Sequence, residues 1–377
     1  MSAQFTLGIE EEFQMVDRHT GQLSPHIQFI LEKGIPLLGE QIKPEMLQSA
    51  VEIVTGICPD IHATRHELTT LRRQLFALLE PDGIGLISAG THPSALWQEQ
   101  PSMPSERYTT LEDELQDIAR SILIFGLHIH VGVEKPEMAV LLMNQARNWL
   151  PQLLALSVNS PFWGGRFTGI KSYRSVVWRP FPRSGVPDVF PTWSDFDNYV
   201  QMLVRTGCID NGKKIWWDIR PHPFFSTLEF RVCDMPATLE DTLALAALCQ
   251  ALVAKLVWLH ERGLSSPVLP RSFIEENKWR AMRYGLDGDV VDFVRDRRLT
   301  MRESISELLD FVEDVVDDLG SQAEMQYLRD LLADERGVGA DRQTEVYQRT
   351  GSVQAVIEYL MQQTLQGLGM DSRETYV

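Results

Sequence analysis

The sequence predicts an α+β fold in which helices are interleaved with the strands of an antiparallel sheet. Three observations predict it. Short segments of alternating apolar and polar residues are separated by longer stretches of helical periodicity. The Gly-rich phosphate loops of a doubly wound fold are missing from the sequence. Several of the short segments also repeat one arrangement, with ionisable side chains on one face and aliphatic ones on the other.

The first such segment runs from Phe5 to Val16 and contains "GIEEEFQ". Strand side chains alternate, so Glu10 and Glu12 share a face with Gln14, while Glu11 lies with Leu7, Ile9, Phe13 and Met15. Two carboxylates roughly 7 Å apart on one strand face repel each other unless something cationic sits between them, and a bound metal ion meets that need. The strand Gln48 to Gly56 sets Glu52 opposite Val51 and Ile53 in the same way. A helix follows from Asp60, its N-cap, to Leu79, with Pro81 as the stop. A strand is expected over Gly85 to Gly90 and a helix over Ser105 to Ile124.

In "LHIHVGV", within the strand Gly126 to Val133, His128 and His130 face one way and Leu127, Ile129, Val131 and Val133 the other. Helical periodicity resumes from Pro136 to Val158. The strand Trp216 to Pro221 puts Asp218 and Arg220 on one face, and Thr227 to Cys233 does the same for Glu229 and Arg231. A long buried helix opens with Thr238 and Asp241 in capping-box spacing and closes at Gly263. From about Met301 onward the chain is charged and helical. No internal repeat, low-complexity tract or long polar linker divides it, so one continuous catalytic domain over residues 1–377 is expected.

If these strands pair, one face of the sheet collects Glu10, Glu12, Glu52, His128, His130, Asp218, Arg220, Glu229 and Arg231. Carboxylates with an occasional imidazole suit Mg²⁺ or Mn²⁺, and guanidinium forks suit phosphate or carboxylate. Together they read as a phosphoryl-transfer site. Any one strand alone reads equally well as an ordinary solvated strand. H-x-H alone is an exposed edge, a structural pair or a zinc pair, and Glu229 with Arg231 alone is an ion pair worth under about 1 kcal/mol. The coincidence across several strands tips the balance. Which of His128 and His130 would hold metal stays open at this point.

Composition narrows the partners. The chain has 377 residues, 44% apolar and 23% charged, which is the profile of a soluble globular protein. A formal net charge of -17 disfavours a nucleic-acid partner, since that affinity comes mostly from cations neutralising phosphates. There is no basic leader, lipidation signal or uninterrupted apolar run of roughly 18 residues, so no membrane association and a cytoplasmic location are expected. Cys58, Cys208, Cys233 and Cys249 follow no pairing pattern and are expected to stay reduced.

Taken in order, "GIEEEFQMVD", "VEIVTGIC", "SAGTHP", "LHIHVGV", "NSPFWGG", "SYRSVVWRPFPRSGVPD" and "LEFRVCDMPAT" closely resemble the carboxylate-amine ligase family of the glutamate-cysteine ligase 2 type, in the glutamine-synthetase-like superfamily. The resemblance runs from Thr6 to about Gly288, with a weaker echo at "GVGADRQ". It implies a curved antiparallel sheet with helices on its convex face and ATP with Mg²⁺ or Mn²⁺ on its concave face. It also implies ATP-dependent joining of a small-molecule carboxylate and an amine, amino acids among them, through an acyl phosphate, and a homodimer. Glutamate and cysteine are the substrate pair it suggests.

Residue by residue, the resemblance implies metal binding at Glu10, Glu12, His128 and Glu229, and a position facing metal or amino-acid substrate at Glu52. Arg231 would meet the transferred phosphoryl group or the substrate carboxylate. Arg174 and Arg179 are candidates for phosphate or carboxylate contacts, as Arg220 is from its place on the polar face. Gly164 and Gly165 suit a close approach to ligand or, equally, a tight turn. Asp341 and Arg342 either close over the nucleotide or cap a helix. The residues alone reach metal and phosphate on one sheet face; ligation comes from the resemblance. A small-molecule phosphotransferase on the same face is the main alternative, followed by a divalent-metal hydrolase and a binding protein without catalysis.

Overall fold

Residues 5–369 are described by the computed structural model of the chain. Seven strands form the central sheet: β1 (Leu7–Asp17), β2 (Ile42–Pro44), β3 (Ala50–Val54), β4 (Ile84–Ile87), β5 (Gly126–Gly132), β6 (Ile219–Pro221) and β7 (Thr227–Asp234). Their order is β6-β7-β5-β1-β3-β2, β4 pairs with the end of β1, and every pairing is antiparallel. β1 is long enough to hold partners along both halves, which makes it the axis of the sheet.

One face of that sheet is apolar. Leu7, Ile9, Phe13 and Met15 of β1 join Leu127, Ile129 and Val131 of β5 and Leu228 and Phe230 of β7 in one continuous core. The helix Ile61–Leu79 covers β1 and β4, and the helix Leu239–Glu261 covers β1 and β5. Each starts on a satisfied N-cap, the Asp60 side chain accepting from the Ala63 N–H and the Thr238 side chain from the Asp241 N–H. Leu239–Glu261 is long and apolar enough to cross a membrane by composition, yet it is buried between the sheet and the helices Met301–Leu319 and Gln322–Ala333. Burial on all sides explains its lack of a polar stripe.

Glu11 is the exception on the apolar face. Arg72 of the Ile61–Leu79 helix grips it with two bonds, Nε to Oε2 at 2.8 Å and Nη2 to Oε1 at 2.5 Å, and the Thr242 hydroxyl donates to Oε1 at 2.8 Å. A buried carboxylate is tolerated only when paired in this manner. The middle glutamate of "EEE" therefore ties the helical layer to the sheet, while its neighbours face the other way.

The structure departs from the expected elements in four places. The helix expected over Ser105 to Ile124 breaks at Gln116, which takes a φ of 51°, into Glu106–Leu115 and Asp117–Arg120. The helix expected over Pro136 to Val158 becomes Pro136–Ala146 and Leu150–Ser157, because Pro151 fits only the first turn of a new helix. Trp216 to Pro221 divides: Trp216–Trp217 pairs in parallel with Ser184–Gly185, and Ile219–Pro221 alone joins the main sheet. Finally, the β5–β7 register shifts between Phe230 and Cys233. That irregularity sends Cys233 into the core and turns Asp234 towards the loops at Asn159, Ser160 and Ser172.

Candidate active site

The other face of the sheet gathers the ionisable groups through register. Glu10 of β1 stands opposite His128 of β5, Glu12 opposite Glu52 of β3, and Glu229 of β7 lies between His130 and Arg220. The His128 Nδ1 is 2.9 Å from Glu10 Oε2, and its Nε2 is 3.8 Å from Glu12 Oε1. Two sets of potential ligands result, Glu10 with His128 and Glu229, and Glu12 with Glu52 and His128; within each, one ligand atom per residue lies within 4.8 Å of the others. His128 belongs to both. His130 belongs to neither: its Nδ1 meets the Thr227 hydroxyl at 3.0 Å, and its Nε2 sits 3.3 Å from Glu10 Oε1 without a hydrogen bond.

Electrostatics divides the carboxylates into two kinds. Burial pushes Glu12 up to about 8, reinforced by the charge of Glu45 and opposed by Arg174 and the Gly126 N–H. Burial, with Glu10, Glu45 and Glu12 nearby, also lifts Glu52 well above the usual carboxylate range. Burial works in the same direction on Glu10, but the neighbouring imidazoles of His128 and His130 outweigh it and hold Glu10 well below that range. Glu229 is likewise buried and likewise held low, by Arg220 and Arg231. Burial and the Arg231 charge bring His128 down to about 4, so its imidazole is neutral, the form that ligates a metal. A set of buried and half-buried carboxylates around a neutral imidazole fits a hard divalent cation, whose charge would offset the burial and repulsion that raise Glu12 and Glu52.

Glu45 completes this set and escaped the sequence reading. It follows β2, donates no alternating pattern of its own, and raises both Glu12 and Glu52 by its charge. Its own carboxyl is raised by burial and opposed by Arg107. Only the pairing of Lys43 with Glu52 across β2 and β3 brings it to the cluster. No local signal in "QIKPEM" marks it.

The arginines separate into different roles. Arg231 Nη1 donates to Glu229 Oε1 at 2.5 Å, and its buried Nε has no partner. Arg174 is buried, its Nη1 and Nη2 lie 3.4 and 3.3 Å from the Val232 and Arg231 carbonyls, and its Nε also has no partner. Arg220 was expected to contact the nucleotide, but its Nε and Nη2 bind Glu229 at 2.6 and 3.2 Å and its Nη1 binds the Lys213 and Ile215 carbonyls. Its guanidinium is occupied in holding Glu229. Arg179 lies exposed just past the helix Tyr173–Trp178 and, among the described residues, makes no hydrogen bond or ion pair with the cluster.

Three other expectations resolve locally. Asp218 pairs with Lys278 at 2.6 Å instead of joining the carboxylates. Gly164 and Gly165, at φ of 56° and 78°, form the turn between the short strands Phe162–Trp163 and Arg166–Phe167. Asp341 accepts from the Val338 N–H at 3.1 Å at the start of the helix Gly339–Thr350 and pairs with Lys171, and Arg342 reaches Asp241 at 3.7 Å. These two are helix-end residues.

Comparison with known proteins places the geometry in context. Residues 6–359 match the family described as glutamate-cysteine ligase family 2. A protein of Solibacter usitatus named "Putative glutamate--cysteine ligase 2" is 52% identical over 364 residues, covering 96% of this chain and 94% of its own. A relative of the same name from Sorangium cellulosum is 49% identical over 370 residues, covering 98% of each. Among solved structures, glutamate–cysteine ligase from Francisella tularensis in complex with AMP superposes with a TM-score of 0.73 at 13% identity, over 98% of this chain and 90% of that one. A bifunctional glutathione synthetase from Pasteurella multocida superposes with a TM-score of 0.72 at 14% identity, over 96% of this chain and 52% of that one. At such identities the two structures speak for a shared fold.

Proposed function

The chain belongs to glutamate-cysteine ligase family 2, a family of ATP-dependent ligases, and from that premise we propose that it activates a small-molecule carboxylate with ATP and joins it to an amine. The observation that carries this reading is the pair of ligand sets sharing His128 on one sheet face, with the unpartnered Nε groups of Arg231 and Arg174 beside them. Glu10, Glu12, Glu52 and Glu229 would hold Mg²⁺ or Mn²⁺, with His128, whose neutral ring has one lone-pair nitrogen to give, ligating a single ion. When bound, such ions neutralise charge on phosphate oxygens during transfer.

The chain's own residues supply the rest. Arg220 keeps both Glu229 oxygens oriented towards the cluster. His128, neutral and fixed through Nδ1 by Glu10, keeps Nε2 turned towards Glu12. Arg231 and Arg174 each offer a buried N–H to the transferring phosphoryl group or to the substrate carboxylate. The carboxylate would attack the γ-phosphorus to give an acyl phosphate, and the amine would then displace phosphate to give an amide. Glutamate and cysteine are the pair that the family name supports.

On the same reading the sheet is glutamine-synthetase-like, with the cluster on its concave face and helices on its convex face, in a single catalytic domain that acts as a homodimer. The same reading has it work in the cytoplasm. The test is ADP release by the purified protein with Mg²⁺ or Mn²⁺, across amino acids supplied singly and in pairs, with products read by mass spectrometry. ADP and an amide appearing only with a particular pair support the ligase. ADP with one compound and a stable phosphorylated product would mean a phosphotransferase, and turnover without ATP a hydrolase.

A further inference from the structure

We propose that Asp234 and Gly126 are positioning residues that set the Arg174 guanidinium over the carboxylate face. What Arg174 does there rests on the ligase reading; where it sits does not.

The first constraint comes from Asp234, turned out of the core by the irregularity in β7. Its Oδ2 accepts from the Asn159 N–H at 2.9 Å and the Ser160 hydroxyl at 2.6 Å, and its Oδ1 from the Ser172 hydroxyl at 2.7 Å. The Ser160 oxygen, its proton directed at Asp234, in turn accepts the N–H of Arg174 at 3.1 Å. The Ser172 oxygen caps the helix that begins at Tyr173, accepting the Ser175 N–H at 3.3 Å. Both relays end in the first turn that carries Arg174, so one carboxylate fixes the root of that side chain.

The second constraint acts on the guanidinium itself. A Cβ on Gly126 would lie 2.5 Å from Arg174 Nη2, 3.0 Å from Cζ and 3.2 Å from Nε. The guanidinium thus fills the space that any side chain at 126 would take, directly beside the Gly126 N–H that Glu12 Oε2 accepts at 2.5 Å. Its hydrogen bonds to carbonyls are long and its Nε–H is free. A buried donor with so little to hold it would wander without the two constraints. With them it is held ready for an anion, and positioning errors of about 1 Å at such a group cost on the order of 100-fold in rate.

The experiment follows the Arg174 Nε–H resonance by ¹⁵N NMR in the full chain, assigned by its loss in Arg174→Lys, with the Arg72 Nε–H on the opposite face as control. Asp234→Asn replaces an acceptor oxygen with an amide NH₂, and Gly126→Ala leaves the Asp234 relays intact while crowding the guanidinium. Both should shift or broaden the Arg174 signal and leave Arg72 unchanged. Each should also lower kcat/KM for metal-dependent ADP release by about 10- to 100-fold, and neither should lower it further in an Arg174→Ala background. An Arg174 signal unmoved in Gly126→Ala, or losses that add in full to that of Arg174→Ala, would overturn the proposal. Shifted signals in a wild-type protein that releases no ADP would support the positioning and overturn the ligase reading instead. If Asp234→Asn does not fold, Gly126→Ala decides alone.

Discussion

Glu12 and Glu52 stand directly opposite each other on neighbouring antiparallel strands, a half-buried and a buried carboxylate sharing one face. Burial first, with Glu45 acting on both and Glu10 and Glu12 acting on Glu52, raises the proton affinity of the pair. With Glu12 pushed from 4.5 up to about 8, its stabilising protonated form is fully present below pH 4.5 and is lost as pH rises through about 8. In Glu12→Gln the amide copies the protonated acid, so at pH 7 without metal the melting temperature should stay within about 2 °C of wild type. At pH 9 the variant should be the more stable. Metal-dependent ADP release should vanish. Melting curves from pH 6 to 9 check the first claim, and undiminished turnover would remove Glu12 from the metal site.

On the opposite face, Glu11 and Arg72 are 0% and 2% exposed and hold each other at 2.5 and 2.8 Å. Breaking such a pair leaves a buried charge alone, at a cost of roughly 3 to 5 kcal/mol. Arg72→Met should therefore lower the urea midpoint sharply. The double change Glu11→Leu with Arg72→Met should recover most of that loss, because neither charge is then left behind. A double variant as unstable as the single one would show that the pair's shape, not its charge balance, is what the core needs.

These two pairs mark the limit of what the chain discloses by itself. Alternation is local, so "GIEEEFQ", "LHIHVGV" and "TLEFRV" each put their ionisable residues, Glu10 with Glu12, His128 with His130 and Glu229 with Arg231, on one side of their own strand before any fold is known, and only the pairing of the strands makes those sides one face. Arg72 cannot be matched to Glu11 in this way, because it lies 61 residues away on a helix. Glu45 sits just past a three-residue strand with no period to read. Gln116 in a left-handed conformation and the irregular register of β7 are decided by tertiary packing, so the broken helix and the turn of Asp234 were invisible. Arg220 was read correctly as facing the cluster, yet its commitment to Glu229 depends on the loop carbonyls of Lys213 and Ile215, which only the fold supplies.

That commitment gives Arg220 a kinetic signature. Its Nε and Nη2 hold the two Glu229 oxygens separately, a two-point grip that the single ammonium of lysine cannot copy. Arg220→Lys should raise the metal concentration needed for half-maximal ADP release by about 10- to 100-fold, the usual scale for loss of a group that orients a ligand. The KM for ATP at saturating metal should change little. A large rise in that KM instead would restore Arg220 to direct phosphate contact.

His92 offers a test of the fold away from the cluster. It is fully buried; its Nδ1 accepts the N–H groups of Ser94 and Ala95 at 3.2 and 3.0 Å, and its Nε2 faces the Gly21 carbonyl at 2.8 Å. Both ring nitrogens are satisfied by a neutral ring carrying its proton on Nε2. A second proton on Nδ1 would have to displace two backbone donors, and burial opposes the charge as well, holding the group at about 4 against an ordinary 6.5. As pH falls below 6.5 the unfolded chain takes up that proton and the folded one does not. Stability therefore drains away between about pH 6.5 and 4, by roughly 3 kcal/mol in all for this residue. His128 and His222 are lowered in the same direction, so the decisive measurement is a difference. His92→Asn keeps an acceptor near the same N–H groups and cannot titrate. Urea unfolding at intervals from pH 7.5 down to 5 should show the variant less stable than wild type at the upper end, with the gap closing as the solution becomes acidic. The local slope should differ by up to about 1.4 kcal/mol per pH unit, the value for one proton. Parallel curves would mean that His92 already exchanges its proton freely in the folded protein, and that the Ser94 and Ala95 contacts do not hold the ring as described.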